Sequence, residues 1–215
     1  MSSDQNPNVT TEKPHRVTQT WREADGDATV ALDWPIDDKS IVFEIGAYEG
    51  RWALQMAEKF NPRLYAFEPQ PWAYERAKEK LQGYNNVQLF NFGMWTHDCV
   101  ATLGDFGRDG ASLVKQWHQD TYQAKMVDIY GFIQEHLDPS DRISVCLMNI
   151  EGGEFALIPY MLGLGIMERI DNLFVQFHYF APLGKEKEVD IRERLEQTHE
   201  VLWDYTPTAV CWRIK

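Results

Sequence analysis

Ile41-Val42-Phe43-Glu44-Ile45-Gly46-Ala47-Tyr48-Glu49-Gly50 is the stretch whose reading decides the fold. Its first half is apolar and β-branched and ends at a glycine, which predicts a buried parallel strand over residues 40–45. Gly46 lets the backbone turn sharply and approach a ligand closely. Trp52, Leu54, Met56 and Ala57 then recur at helical spacing, so residues 51–60 form a helix that Asn61-Pro62 stops. The turn between them is expected to present free amide N–H groups at a helix N-terminus. In an open α/β sheet that place is the ligand crevice at the strand carboxyl ends.

Working outward, residues 63–67 read as a second strand, punctuated by Pro69 and Pro71, and residues 72–81 as a second helix closed by Gly83. Residues 87–92 make a third strand, and this alternation predicts right-handed βαβ units around a parallel sheet. Residues 99–103 fit an edge strand or a hairpin arm, residues 104–110 a loop, and residues 127–136 a helix. Residues 143–149 read as a central strand and residues 154–162 as a helix that Pro159 should kink or shorten. A strand over 173–178 and a charged helix over 186–199, with Val189, Ile191 and Leu195 as its apolar positions, follow. Residues 201–205 and 209–214 flank Thr206-Pro207-Thr208 as an antiparallel hairpin, which makes the sheet mixed.

The chain of 215 residues fits one domain, with a polar, flexible tail over residues 1–20 and a folded domain over 21–215. With 8 Trp, 9 Tyr and 11 Phe it is far too aromatic to be disordered throughout. A net charge of −12 argues against nucleic acid, or an anionic lipid surface, held by bulk charge. Cys99, Cys146 and Cys211 form neither a disulfide framework nor a zinc pattern, and the last two read as small buried hydrophobes. Neither a signal-peptide core nor an apolar run long enough for a membrane span is legible, so a soluble, cytoplasmic protein is expected. Asn8-Val9-Thr10 is read as a chance sequon.

Two acids give the turn its chemistry. Glu68 closes the second strand, where a carboxylate can accept from both hydroxyls of a ribose. Glu44 stands two residues before Gly46, where it suits a cofactor carrying an amino group and would repel a pyrophosphate. A dinucleotide turn wants G-x-G-x-x-G, whereas Gly46 and Gly50 make G-x-x-x-G. The pattern favours S-adenosylmethionine over NAD, which leaves an NAD-dependent oxidoreductase as the rival enzyme class. A glycine turn without a ligand is the plain structural alternative.

These residues resemble the FkbM-type methyltransferases, a branch of the class I S-adenosylmethionine-dependent fold. The resemblance runs from about Ile41 to His178. It rests on residues 42–50, on Ala66-Phe67-Glu68-Pro69, on Ile150-Glu151-Gly152-Gly153-Glu154, and on Val127-Asp128 and His178. It implies a Rossmann-like domain, a seven-stranded, mostly parallel sheet with helices on both faces, and methylation of a hydroxyl on a sugar, glycan or other small acceptor. Glu44, Gly46, Ala47, Tyr48, Gly50, Glu68 and Pro69 are then the cofactor set, joined by Phe92 and Gly93, since residues 92–95 fall where the adenine lies in this fold.

Asn149, Glu151 and His178 are the catalytic candidates, expected together at neighbouring strand ends. His178 is the natural general base, with Glu151 as rival base or as the group that orients it. Plain readings stand beside these: a structural histidine, and a Glu151 that only bonds helix-start amides. A divalent ion held by Asn149, Glu151 and His178 is the weaker option, and no metal is expected. The family's lysine and aspartate before Glu-Gly-x-Glu are here Leu147 and Asn149, and its glutamate before the histidine is Gln176. These departures open a further reading, a weakened or inactive fold kept for binding. Trp21 and Trp34 are expected to pack the N-terminal segment over the sheet, or to act as a lid. Tyr179, Phe180 and Pro182 offer one wall of an acceptor pocket, or ordinary packing.

Overall fold

A computed structural model describes residues 20–105, 111–112, 121–179 and 184–215. The expected tail up to residue 19, Phe180, Pro182 and most of the expected 104–110 loop lie outside the described residues.

The first strand, β1 (Ile41–Ile45), is buried along its whole length, as a central parallel strand must be. It is flanked by β2 (Arg63–Phe67) and β8 (Val145–Met148), both parallel to it. Beyond β2 lies β3 (Val87–Phe90), and beyond β8 lies β9 (Asn172–Val175), again parallel. The hairpin of β10 (His199–Tyr205) and β11 (Ala209–Ile214) adds antiparallel through β11. The seven-stranded order is β3-β2-β1-β8-β9-β11-β10, the mixed sheet that the sequence implied.

Period-two alternation divides the core. Ile41, Phe43 and Ile45 face α3 (Ile129–His136), α4 (Glu154–Gly163) and α5 (Gly184–Leu195) through one cluster. Val42 faces α1 (Arg51–Phe60), α2 (Pro71–Leu81) and the N-terminal segment through the other, and alternation sends Glu44 to that same side. Trp21 and Trp34 are buried there, with Trp21 packed against Phe174, Trp203 and Tyr205. The segment is anchored as expected.

Several expectations change for local reasons. Residues 121–128 form a strand, β7 (Thr121–Asp128), and the helix begins only at Ile129. Ala124 and Met126 are buried while Gln123 and Lys125 are exposed, a strand alternation that the helical reading overlooked. Asp128 accepts from the Tyr130 amide and so starts the helix. With β4 (Gly93–Trp95), β5 (Cys99–Asp105) and β6 (Ala111–Ser112), β7 builds a second, four-stranded sheet. The third strand therefore stops at Phe90, not residue 92. Pro159 does not shorten α4, because proline removes a single backbone bond there. The last helix ends at Leu195; His199 opens β10 fully buried, and Val189, expected inward, is 55% exposed. Among the described residues, no helix is long and apolar enough to cross a membrane.

Candidate functional site

The carboxyl ends of β1, β2, β8 and β9 meet at the glycine turn. Gly46 has φ 91°, and a Cβ there would sit 2.0 Å from the Asn149 carbonyl oxygen, so the turn passes a neighbouring strand end with no room for a side chain. Gly50 has a different duty. It starts α1 at φ 72°, and a Cβ would press on Ala77 and Leu81 of α2. It belongs to helix packing, and it lines neither cleft described below.

Of the amides expected to be free in the turn, those of Gly46, Ala47, Tyr48 and Gly50 are engaged within the protein. Gly46 and Ala47 both donate to the Phe67 carbonyl. Tyr48 donates to Glu68 Oε2 at 2.6 Å, and Gln70 to Oε1 at 2.8 Å. Glu68 thus clasps the glycine turn to the start of α2 while lining a cleft with Tyr48, Pro69, Gly93, Trp95 and Met126. Burial pushes its carboxyl up to about 7, against the pull of those two amides. Each carboxylate oxygen keeps a second acceptor direction for a ligand.

Glu44 is 2% exposed and accepts from the Ala53 amide in the first turn of α1. Its Oε2 is buried without a hydrogen-bond partner. Burial, then the charge of Glu68, holds its carboxyl well above the usual range, with the Ala53 amide pulling the other way. The residue opposite it in register on β8 is Leu147, so the strand pair supplies no counter-charge. Glu44 lines a second cleft with Asp27, Ala31, Arg51, Trp52, Gln55, Asn149 and Gln176. The N-terminal segment forms one edge, fixed where the Trp34 and Trp52 indoles both donate to the Ala31 carbonyl. Gly46, Tyr48 and Asn149 line both clefts, and Asn149 Oδ1 is also buried and unpartnered.

Past β8 the chain makes a left-handed step, with Glu151 at φ 51° and Gly152 at φ 95°. Such a conformation is costly for a side-chain-bearing residue and clusters at functional sites. The step brings the Ile150 and Gly152 amides onto the Glu154 carboxylate, at 3.0 and 2.8 Å. Glu154, fully buried, also meets His178 Nδ1 at 2.9 Å. On the other side of the ring, His178 Nε2 lies 3.5 Å from Glu151 Oε1. Burial pulls the imidazolium down, but the hydrogen bond to Glu154 and the charges of Glu154 and Glu151 outweigh it, so His178 titrates above its ordinary value.

Most residues expected at the site converge here. Gly46, Tyr48, Glu68, Pro69, Gly93, Asn149 and Glu151 line the first cleft; Glu44 and Ala47 line the second. Phe92 does not reach either, because its ring packs among Phe67, Phe90 and Phe132, under the Lys125 ammonium. Met94 and Trp95 take that wall instead. Of the catalytic trio, Glu151 and His178 are paired, while Asn149 looks toward the two clefts. Glu154 is the member that residue-by-residue reasoning left without a role; its signal was the second acid of Glu-Gly-x-Glu, three residues beyond Glu151. Tyr179 is tied by its hydroxyl to Glu188 and packs near Phe155, the ordinary packing alternative. Among the described residues, no three His, Cys, Asp or Glu side chains gather into a metal-holding group.

No family model matches the chain. An uncharacterized protein of Methanocaldococcus jannaschii is 34% identical over 61 residues, a stretch that spans 27% of this chain and only 23% of that protein. An rRNA methylase from Streptococcus thermophilus superposes with a TM-score of 0.52 at 14% identity, over 92% of this chain and 98% of its own. A protein from Streptococcus mutans described as a methyltransferase, crystallised with S-adenosylhomocysteine, gives 0.55 at 16% identity, over 93% and 100%. At these identities the likeness is one of fold: the chain has the Rossmann-like α/β fold of the class I methyltransferases.

Proposed function

We propose that this chain is an S-adenosylmethionine-dependent methyltransferase of the FkbM type that methylates a hydroxyl of a sugar, glycan or other small acceptor. The observation that carries the reading is the pair of buried acids. Glu68 lines the first cleft with one acceptor direction left on each oxygen, and Glu44, whose buried Oε2 has no partner, lines the second. They suit a ligand with a diol at one end and a cation at the other. The residues fit the cofactor in detail. Glu68 takes the ribose hydroxyls, with the Met94, Trp95 and Met126 wall beside the adenine. Glu44 and Asn149 Oδ1 take the ammonium, and Arg51, exposed at the rim, takes the carboxylate. A pyrophosphate fits poorly here, because the Gly46, Ala47 and Tyr48 amides are bound internally and Glu44 sits at the N-terminus of α1. That counts against the NAD reading.

When bound, the cofactor supplies an electrophilic methyl group, so positioning provides much of the rate. The chain's own residues then have two tasks. The cleft walls align the acceptor oxygen, and His178, beside Glu151, removes its proton. The charged groups around the clefts are mainly acids: Glu68 and Glu151 in the first, Asp27, Glu44 and Glu49 against Arg51 in the second. With the net charge of −12, this suits a neutral acceptor and not nucleic acid.

Calorimetric titration with S-adenosylmethionine, S-adenosylhomocysteine and NAD tests the reading. Micromolar binding of a sulfur nucleoside, absent for NAD, is expected. Binding of NAD alone, or of no nucleoside at all, overturns it.

A further inference from the structure

We infer that Glu154 is a positioning residue for His178: it holds the ring by Nδ1–H and so sets Nε2 beside Glu151, which lines the first cleft. The inference rests on the proposed role of His178 as general base and assigns a function to a residue that does not itself touch the acceptor.

The argument starts from burial. A fully buried carboxylate must be satisfied from every side. Glu154 is met by three donors: the Ile150 amide, the Gly152 amide and His178 Nδ1. Carboxylates face both ring nitrogens, Glu154 at 2.9 Å from Nδ1 and Glu151 at 3.5 Å from Nε2, and the shorter, fully buried contact is the one that holds the hydrogen of the neutral ring. In the neutral ring the other nitrogen, Nε2, then holds the lone pair, and it faces Glu151. Glu151 lines the first cleft and His178 does not, so Nε2 reaches the cleft through its neighbour Glu151. Among the described residues, the titratable groups facing His178 include Glu154 from α4 and Glu151 from the left-handed turn; the Gln176 backbone adds a hydrogen bond. When the acceptor O–H bond breaks, its proton forms Nε2–H and the electron pair stays on oxygen. The imidazolium so formed is stabilised by Glu154 on the far side, as an orienting acid does in an acid–base–nucleophile triad.

The same carboxylate also fixes the turn. The Ile150 and Gly152 amides converge on it only because Glu151 and Gly152 are left-handed. Glu154 therefore links the shape of the turn that carries Glu151 to the tautomer of His178.

The first test needs no substitution. In the wild-type protein at high pH, ring nitrogen chemical shifts should report the Nδ1–H tautomer of His178; the Nε2–H tautomer overturns the inference. The second test is Glu154→Gln, with S-adenosylhomocysteine affinity within about threefold of wild type as the check on folding. The His178 titration midpoint should fall by about one pH unit, on the scale of a lost charge partner. The acid limb of the turnover profile should fall with it, and turnover should drop by about 10²-fold. An unmoved midpoint overturns the inference while leaving His178 as the base. A midpoint that moves without the acid limb overturns it too, and removes His178 from the chemistry as well.

Discussion

Glu44→Gln separates binding from stability more cleanly than any other single change in this protein. The glutamine keeps an oxygen for the Ala53 amide and is nearly the same size, so the start of α1 is preserved. What it loses is a charge that is 2% exposed, lies opposite Leu147 and has no partner at Oε2. Without ligand that charge is a cost. Relieving it should raise stability above neutral pH by about 1–3 kcal/mol, the scale of an unsatisfied buried group. For a chain of this size each kcal/mol moves the melting temperature by about 2–4 °C. The sign depends on pH. Glu44 is raised in the folded state, so its contribution to stability is fully present below the unfolded carboxyl value and lost as pH rises through the folded one. The gain from Glu44→Gln should therefore appear only toward alkaline pH. Binding should move the other way. A lost charged hydrogen bond to the donor's ammonium is worth about 1.5–3 kcal/mol, or roughly 10- to 150-fold in dissociation constant. Thermal melts at pH 5 and 8 and calorimetry with S-adenosylhomocysteine read both quantities. A variant that binds as tightly as wild type refutes the ammonium assignment. One that is less stable at both pH values refutes the claim that the acid is uncompensated.

Glu68→Ala should weaken donor binding by about 1.5–3 kcal/mol through the ribose hydroxyls, and should also lower the melting temperature, because the Tyr48 and Gln70 amides lose their acceptor; an unchanged dissociation constant removes the ribose assignment. Because that carboxyl titrates at about 7, donor affinity should weaken below that pH as the proton competes for Glu68, by at most about tenfold per unit; an affinity flat from pH 5.5 to 8.5 contradicts this. His178→Ala should leave donor affinity within about threefold and cut turnover by roughly 10²-fold or more; equal turnover returns the histidine to a structural role. Asn149→Asp with Gln176→Glu should destabilise the protein by setting two more carboxylates beside Glu44, and adding Leu147→Lys should restore much of the loss; a triple variant no more stable than the double denies that these positions act on one charge.

The frame was legible because its signals are local and strong. A buried β-branched run ending at Gly46, with a helix pattern behind it, leaves few alternatives, and β2 and α1 fall on their expected bounds. The four-stranded sheet was not legible. Its strands are short or half-exposed, and β7 hides its alternation beside a real helix start at Asp128. At the site, residue types were readable but directions were not. Nothing in the sequence says that the Phe92 ring turns inward while Trp95 faces the cleft. Nor does it say that Glu68 spends one acceptor direction of each oxygen on the backbone, which replaces the expected open amides by a closed turn.

The departures from the family pattern read differently once they are placed. Scattered erosion of an idle site would leave unrelated substitutions, some facing the core and some facing solvent. Leu147, Asn149 and Gln176 instead line one cleft, the one that holds Glu44. Where the FkbM pattern that the sequence resembles has a lysine, an aspartate and a glutamate, this chain has three uncharged side chains, one cation and two anions fewer. That exchange changes the charge of the cleft by only one unit, and it leaves Glu44 as the one buried acid there with an oxygen unmatched. A site relieved of its internal ion pairs presents its remaining charge to whatever enters, at the cost of a buried acid that only a ligand satisfies. Under the proposed function such an arrangement is what a donor pocket requires, and the pairing of Glu44 with position 147 is where that argument stands or falls.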